Sequence, residues 1–197
     1  MVTKTYYPSA YYDNDGWGSA EASPTCSGND PSNLLNVPDG HCACRSTLST
    51  VRKCFLKLYK DSDGNAPAIP AGSTINHVYT NGHAVDVTLR ISGYLVYWLH
   101  HSNFYCGQAA WATTSTISCD NCGDNYDNLD CIDAGWTAED INALGTEDPP
   151  TTTETWVEIS SDGLSAHRGM VDGVWITVDY TPPSAAQPVG DGLGFAQ

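Results

Sequence analysis

Eight cysteines carry most of the chemistry that residue type and spacing announce in this chain: Cys26, Cys42, Cys44, Cys54, Cys106, Cys119, Cys122 and Cys131. Their number is even, and most lie in or beside loops rich in Gly, Asn, Asp and Pro. Such loops have little apolar content to hold them, so disulfides are the expected state. Cys119 or Cys122 is expected to bridge within the excursion at 106–131. Zinc is a competing chemistry. Cys119-Asp-Asn-Cys122 has the spacing of half a tetrahedral site, and His41, Cys42 and Cys44 offer further ligands. One residue separates Cys42 from Cys44, however, and no second C-x-x-C completes the set. Buried free thiols are the third reading.

The carboxylates come next. Asp120, Asp124, Asp127, Asp130 and Asp133 are interleaved with Asn121, Asn125 and Asn128. A hard cation such as Ca²⁺ takes oxygen ligands of this kind. Carboxylates solvating a disulfide-stapled loop account for the same pattern. The run DSDGN at 61–65 starts like a calcium loop but lacks the helices and terminal Glu of an EF-hand, so it reads as a turn. Six histidines are scattered: His41, His77, His83, His100, His101 and His167. His100 and His101 are adjacent, and on a strand they point to opposite faces. Ser165 and His167 come with no orienting carboxylate. Nucleophile elbow, H-E-x-x-H, phosphate-loop and dinucleotide fingerprints are all missing from the sequence. No catalytic residue is assigned, no cofactor beyond the calcium alternative, and the chain is not expected to be an enzyme.

The elements that must position these residues are strands. At 171–181 the run VDGVWITVDYT puts Val174, Ile176, Val178 and Tyr180 on one face and Trp175, Thr177 and Asp179 on the other. That period of two marks a half-buried strand, and Pro182-Pro183 stops it. Residues 85–91 alternate as strictly, with Val85, Val87, Leu89 and Ile91 inward and Asp86, Thr88 and Arg90 outward. Residues 94–99 are almost wholly apolar, as in a strand covered on both faces. Residues 54–59 and 155–160 read as further strands. The one helix is expected at 136–145, with Thr137 as N-cap, Glu139 and Asp140 in the first turn and Gly145 at C′.

Composition bounds the function. The formal net charge is −15 and only 16% of residues are charged. Phosphate backbones demand Lys and Arg, so nucleic acid is not an expected partner. Anionic membrane surfaces are disfavoured for the same reason. No stretch is apolar enough for a membrane helix, and the first ten residues have no signal-peptide h-region. Five of the eight basic residues are Arg45, Arg52, Lys53, Lys57 and Lys60. They read as a solvated strand face, or as a patch that meets an acidic copy of the chain.

Several segments in order resemble a β-sandwich module of bacteriophage tail, fibre and decoration proteins. They are residues 30–40 (DPSNLLNVPDG), 69–75 (IPAGSTI), the strand from Val85, 135–142 (GWTAEDIN) and 171–181. In that module an I-P-A-G-A-T-I turn feeds a long strand, a W-T-P-A-D-I-N turn precedes the late strands, and V-D-x-V-x-I-T-V-Y-Y-T closes the domain. Ala138 stands where the family often has Pro, and the cysteine content is higher. The resemblance implies a non-enzymatic structural role and no catalytic residues.

The expected fold is thus all-β, a jelly-roll-like antiparallel β-sandwich with one short helix and long disulfide-stapled loops. Residues 1–29 form a Tyr-rich arm or edge strand, 30–183 the sandwich, and 184–197 an extension that docks on a partner. Tyr6, Tyr7, Tyr11, Tyr12, Trp17, Leu193 and Phe195 are the expected interface, contacting other virion proteins or copies of the chain. The setting is a virion or the extracellular space. The alternative is a secreted carbohydrate-binding or adhesin-like module for a host-surface glycan, with Trp17, Trp98, Trp111 and Tyr126 as stacking platforms.

Overall fold

A computed structural model of the protein describes residues 1–12, 35, 43–47, 52–86, 93–101, 104–109, 126–132, 135–146, 153–161 and 167–184. The described strands are β1 (Val2–Tyr6), β2 (Ala10–Tyr12), β3 (Ala43–Thr47), β4 (Arg52–Lys57), β5 (Thr74–Asp86), β6 (Gly93–His101), β7 (Phe104–Ala109), β8 (Tyr126–Asp130), β9 (Thr153–Ser161) and β10 (His167–Thr181). One short helix, α1 (Ala138–Asn142), lies between β8 and β9. The described fold is all-β, and its strand pairings are antiparallel.

The strands form two sheets of five. The first runs β1-β10-β5-β8, and β3 pairs with the early half of β10. The second runs β2-β4-β9-β6-β7. β10 is the spine of the first sheet because its alternation is unbroken where it matters. Val174, Ile176 and Val178 are fully buried and Tyr180 nearly so, while Trp175, Thr177 and Asp179 are half-buried on the other face. The inward set faces Leu56 of β4 and Leu99 of β6 within one buried cluster that draws on both sheets. β10 ends at Thr181, before the two prolines, which cannot donate to a ladder.

The N-terminal segment contributes to both sheets. β1 pairs with β10, Val2 opposite Tyr180 and Tyr6 opposite Ile176. After buried Pro8, β2 pairs with β4 on the other sheet. Tyr6 therefore corrects the expectation of a contact with another chain: it is 3% exposed, inside this chain's own core. The register with Ile176 forces that choice, since residues opposite one another share a face.

β5 is longer at its start than the alternation at 85–91 suggested, because polar Thr74, Asn76 and His77 also lie on the strand that pairs with β10. Val87, Leu89 and Ile91 lie outside the described residues. The helix is shorter than residues 136–145. Its cap is as expected, with the Thr137 side chain accepting from the Asp140 N–H and Asp140 bonding back to the Thr137 N–H, a complete capping box. The C-cap is Ala143, so Gly145 lies one position beyond C′. Its positive φ of 67° still marks the turn, and a stronger constraint acts there. A Cβ on Gly145 would sit 2.9 Å from the Lys57 Cα, while its carbonyl accepts from the Leu58 N–H at 3.0 Å. The helix end thus docks backbone to backbone on the end of β4.

Two cross-links tie distant segments. Cys106 of β7 and Cys131, just after β8, form a disulfide with a Cα–Cα distance of 5.8 Å. It joins the edge of one sheet to the edge of the other and closes the 106–131 excursion. A loop of 25 residues implies about 3–4 kcal/mol of stabilisation in the chain-entropy account. The Trp136 indole N–H donates to the Cys131 carbonyl at 2.9 Å, holding the helix entry beside the bridge. The second link is Asn142. Its Oδ1 accepts from the Ile69 N–H at 2.8 Å and its Nδ2 donates to the Ile69 carbonyl at 2.9 Å. One side chain thereby acts as a strand-like partner for the extended run before Gly72. The two turn motifs, 69–75 and 135–142, meet through this pair.

Candidate functional site

Among the described residues, the surface richest in addressable chemistry is the outer face of the first sheet. Register places its members. Asp179 of β10 lies between Thr3 of β1 and His77 of β5, Thr177 between Thr5 and Tyr79, and Trp175 opposite Asn81. β8 adds Asp130 opposite Tyr79. Because the alternate residues of these strands fill the core, period alone sets this group on the opposite face, where Asn81 is buried and His77, Tyr79, Trp175, Thr177 and Asp179 are half-buried.

Hydrogen bonds fix the side chains across strands. Thr3 donates its hydroxyl to Asp179 Oδ1 at 2.5 Å. The hydroxyls of Thr5 and Thr177 lie 3.3 Å apart. Asn81 Nδ2 donates to Thr177 Oγ1 at 3.3 Å and to the Tyr79 carbonyl at 3.2 Å. His77 Nδ1 and Asp130 Oδ2 are 2.6 Å apart, and Asp130 Oδ1 also accepts from the Ile132 N–H. That pair is open to solvent, with side-chain exposures of 44% and 32%, so it orients the imidazole more than it stabilises the fold.

Aromatic rings complete the face. His77 and Tyr79 stack at 5.5 Å with planes 17° apart. Tyr7, just beyond β1, packs on Trp175 at 6.3 Å and 34°. Partial desolvation, and then the carboxylates of Asp130 and Asp179, hold the Tyr79 phenol above its ordinary pKa. It stays a neutral hydrogen-bond donor at physiological pH. The face can therefore stack and hydrogen-bond, and it is acidic in sign.

Two other places have features of their own. A cleft of about 340 Å³ opens between residues 71–73 and the start of α1, lined by Ala71, Gly72, Ser73, Thr137, Ala138 and Glu139. The Ser73 hydroxyl there is buried without a hydrogen-bond partner among the described residues. Beside β2, Tyr11 is 37% exposed and Leu58 50% exposed. Leu58 has φ of 53°, in the left-handed region that leucine rarely occupies.

The expected site residues fall in different places. Tyr6 is in the core, Tyr7 is half-buried against Trp175, Tyr11 is exposed on β2, and Tyr12 ends that strand. Trp17, Leu193 and Phe195 lie outside the described residues, as do Trp111 and Cys26, Cys42, Cys119 and Cys122. So do His41, Asp120, Asn121, Asp124, Asn125 and Asp133, and with them most of the zinc and calcium alternatives. Trp98 is on β6 opposite Trp156, Tyr126 opens β8 opposite His83, and Cys44 of β3 lies opposite Met170. Cys54 is fully buried on β4. Among the described residues no three His, Cys, Asp or Glu side chains group as metal ligands. No described helix is long and apolar enough to cross a membrane.

Sequence reading missed His77, Tyr79, Trp175 and Asp179 as a group. The signal was present on β10, where Trp, Thr and Asp occupy the outward positions. Their partners on β1, β5 and β8 needed the register. No family model, curated protein or solved structure matches the chain.

Proposed function

We propose that this chain is a non-enzymatic structural component of a virion or extracellular assembly. It is a jelly-roll-like antiparallel β-sandwich that works by contact with copies of itself and with other virion proteins. Support for the sandwich comes from the shared buried cluster and from the disulfide between sheet edges. The phage-module likeness rests on the ordered sequence motifs at 30–40, 69–75, 135–142 and 171–181.

The observation that carries the contact reading is the edge at β2. Among the described strands, β2 ends the second sheet. A strand that ends a sheet is the usual place for another chain to pair. Exposed Tyr11 and Leu58 stand beside it. A left-handed leucine costs about 1–2 kcal/mol relative to an ordinary backbone conformation. Holding an apolar side chain half in solvent at that cost fits a surface covered by another chain.

Leu58→Asn separates the two roles. Asparagine tolerates the left-handed conformation, so the isolated fold should be as stable or about 0.5–1 kcal/mol more stable. Self-association in sedimentation velocity should weaken at the same time. A wild-type chain that stays monomeric at every concentration, with Leu58→Asn indistinguishable from it, defeats the reading.

A further inference from the structure

We propose that the outer face of the first sheet binds a neutral oligosaccharide. A hexopyranose has a C–H-rich face and a rim of hydroxyls. Its recognition calls for ring faces beside fixed, unspent hydrogen-bonding groups, and this surface combines them.

The ring face is supplied by the His77–Tyr79 stack, and the half-buried Trp175–Tyr7 pair borders the other end. Thr177 lies between them, two residues from Trp175 along β10 and directly opposite Tyr79. Diagonal neighbours of this kind sit about 7–8 Å apart at their Cα atoms, so both ring groups border one short floor of threonines.

The hydrogen-bonding capacity is left over after the internal bonds are made. Asp179 uses Oδ1 for Thr3, and its Oδ2 has no partner among the described residues. His77 uses Nδ1 for Asp130, which leaves Nε2 for a ligand. The Tyr79 phenol, close to both carboxylates, is a donor with no internal acceptor among the described residues. Carboxylates accept hydroxyl protons in short, charge-assisted bonds. The cross-strand ties of Thr3, Thr5, Asn81 and Asp130 already hold these groups, which lowers the ordering cost of binding.

Charge selects the class of sugar. Among the residues that register and hydrogen bonding place around Thr177, Asp130 and Asp179 are the carboxylates, and neither Lys nor Arg joins them. The whole chain carries −15. Sulfated, sialylated and uronic oligosaccharides would meet like charge without a compensating cation. The site uses one protomer's surface alone, so it stands apart from the assembly reading.

The test titrates the folded chain with cellohexaose, maltohexaose, chitohexaose and mannohexaose, and with a heparin hexasaccharide, read by calorimetry and tryptophan fluorescence. At least one neutral hexasaccharide should bind, with Kd of roughly 10 µM to 1 mM, and heparin should not. Tyr79→Ala and Asp179→Asn should each weaken that binding about tenfold or more while Tm stays within the range of a surface change. Asp179→Asn keeps the side chain's shape, so its loss cannot be assigned to misfolding. Binding of none of the four neutral sugars overturns the proposal. Binding unchanged in both variants, or binding of heparin alone, also overturns it. Each of these results leaves the sedimentation test of self-association untouched.

Discussion

Replacing Asn142 by alanine removes the strand-like partner of Ile69 without touching the apolar core. Two bonds go, at 2.8 Å and 2.9 Å, each worth a net ~0.5–1.5 kcal/mol. Ile69 is buried, so its N–H and carbonyl regain water only if the 66–70 run lifts away. An unsatisfied buried group adds about 1–3 kcal/mol, and partial access places the expected total at about 2–3 kcal/mol. For a chain of this size that lowers Tm by about 4–12 °C. Alanine is a better helix former than asparagine, which offsets a few tenths of a kcal/mol at the last position of α1. Asn142→Asp is the companion. It keeps the acceptor for the Ile69 N–H and loses the donor to the Ile69 carbonyl, placing a carboxylate against a carbonyl oxygen. Near pH 7 it should be at least as damaging as alanine. A protonated carboxyl regains an O–H donor, so the carboxyl introduced at position 142 has its folded-state pKa raised. The recovered stability is then full below about pH 4 and lost as pH rises through the raised folded value. Urea titrations of the three proteins at neutral and acid pH measure all of this. A loss under about 0.5 kcal/mol for Asn142→Ala, the range of ordinary surface changes, refutes the reasoning.

Gly145→Ala should cost about 2–4 kcal/mol, because the new Cβ meets the Lys57 Cα at 2.9 Å and the Leu58 N at 3.1 Å in addition to the positive φ. Gly64→Ala, at φ 82° with open space around it, should cost only about 1 kcal/mol, and equal losses in denaturant titrations would discount the close approach. Alkaline pH should destabilise the fold. Burial, with smaller contributions from Tyr180 and Asp61, pushes Tyr6 up to about 12, and burial raises the fully enclosed Tyr59 as well. Both folded values lie above the ordinary ~10, so the stabilisation is whole below pH ~10 and is lost as pH rises towards about 12. Tyr6→Phe should flatten that fall, and a stability profile level to pH ~12 would contradict the assignment.

Local rules made part of this architecture legible. The alternation on 174–180 needed only the period of a pleated strand and a half-buried environment, so the inward and outward sets were readable without a partner. The stop at Pro182 and the cap at Thr137 were equally local, since each depends on groups within three or four residues. The helix length was not. Its C-terminal end is set by the approach of Gly145 to Lys57, a contact between segments far apart in the chain that no capping rule contains. The cysteines behaved likewise. Loop composition argued for a bridge by Cys119 or Cys122, which lie outside the described residues, and the Cys106–Cys131 pair required the edges of two sheets to come together.

The N-terminal tyrosines show the division most plainly. A cluster of four tyrosines around one proline determined that this segment would bury aromatic surface somewhere, through composition and the amphipathic ring. Where each ring went was decided by the fold. β1 pairs with β10 in a register that sets Tyr6 opposite Ile176, in the core, and leaves Tyr7 against Trp175, while β2 crosses to the other sheet and exposes Tyr11. By itself the sequence determined an acidic, strand-rich chain, its alternating faces, its turns and its helix cap, because those follow from nearest neighbours along the backbone. Only the tertiary structure decided which strands adjoin. With them it decided the gathering of His77, Tyr79, Asp130, Trp175 and Asp179 on one surface, because cross-strand register joins residues from about fifty to about a hundred positions apart, and no local preference encodes that distance.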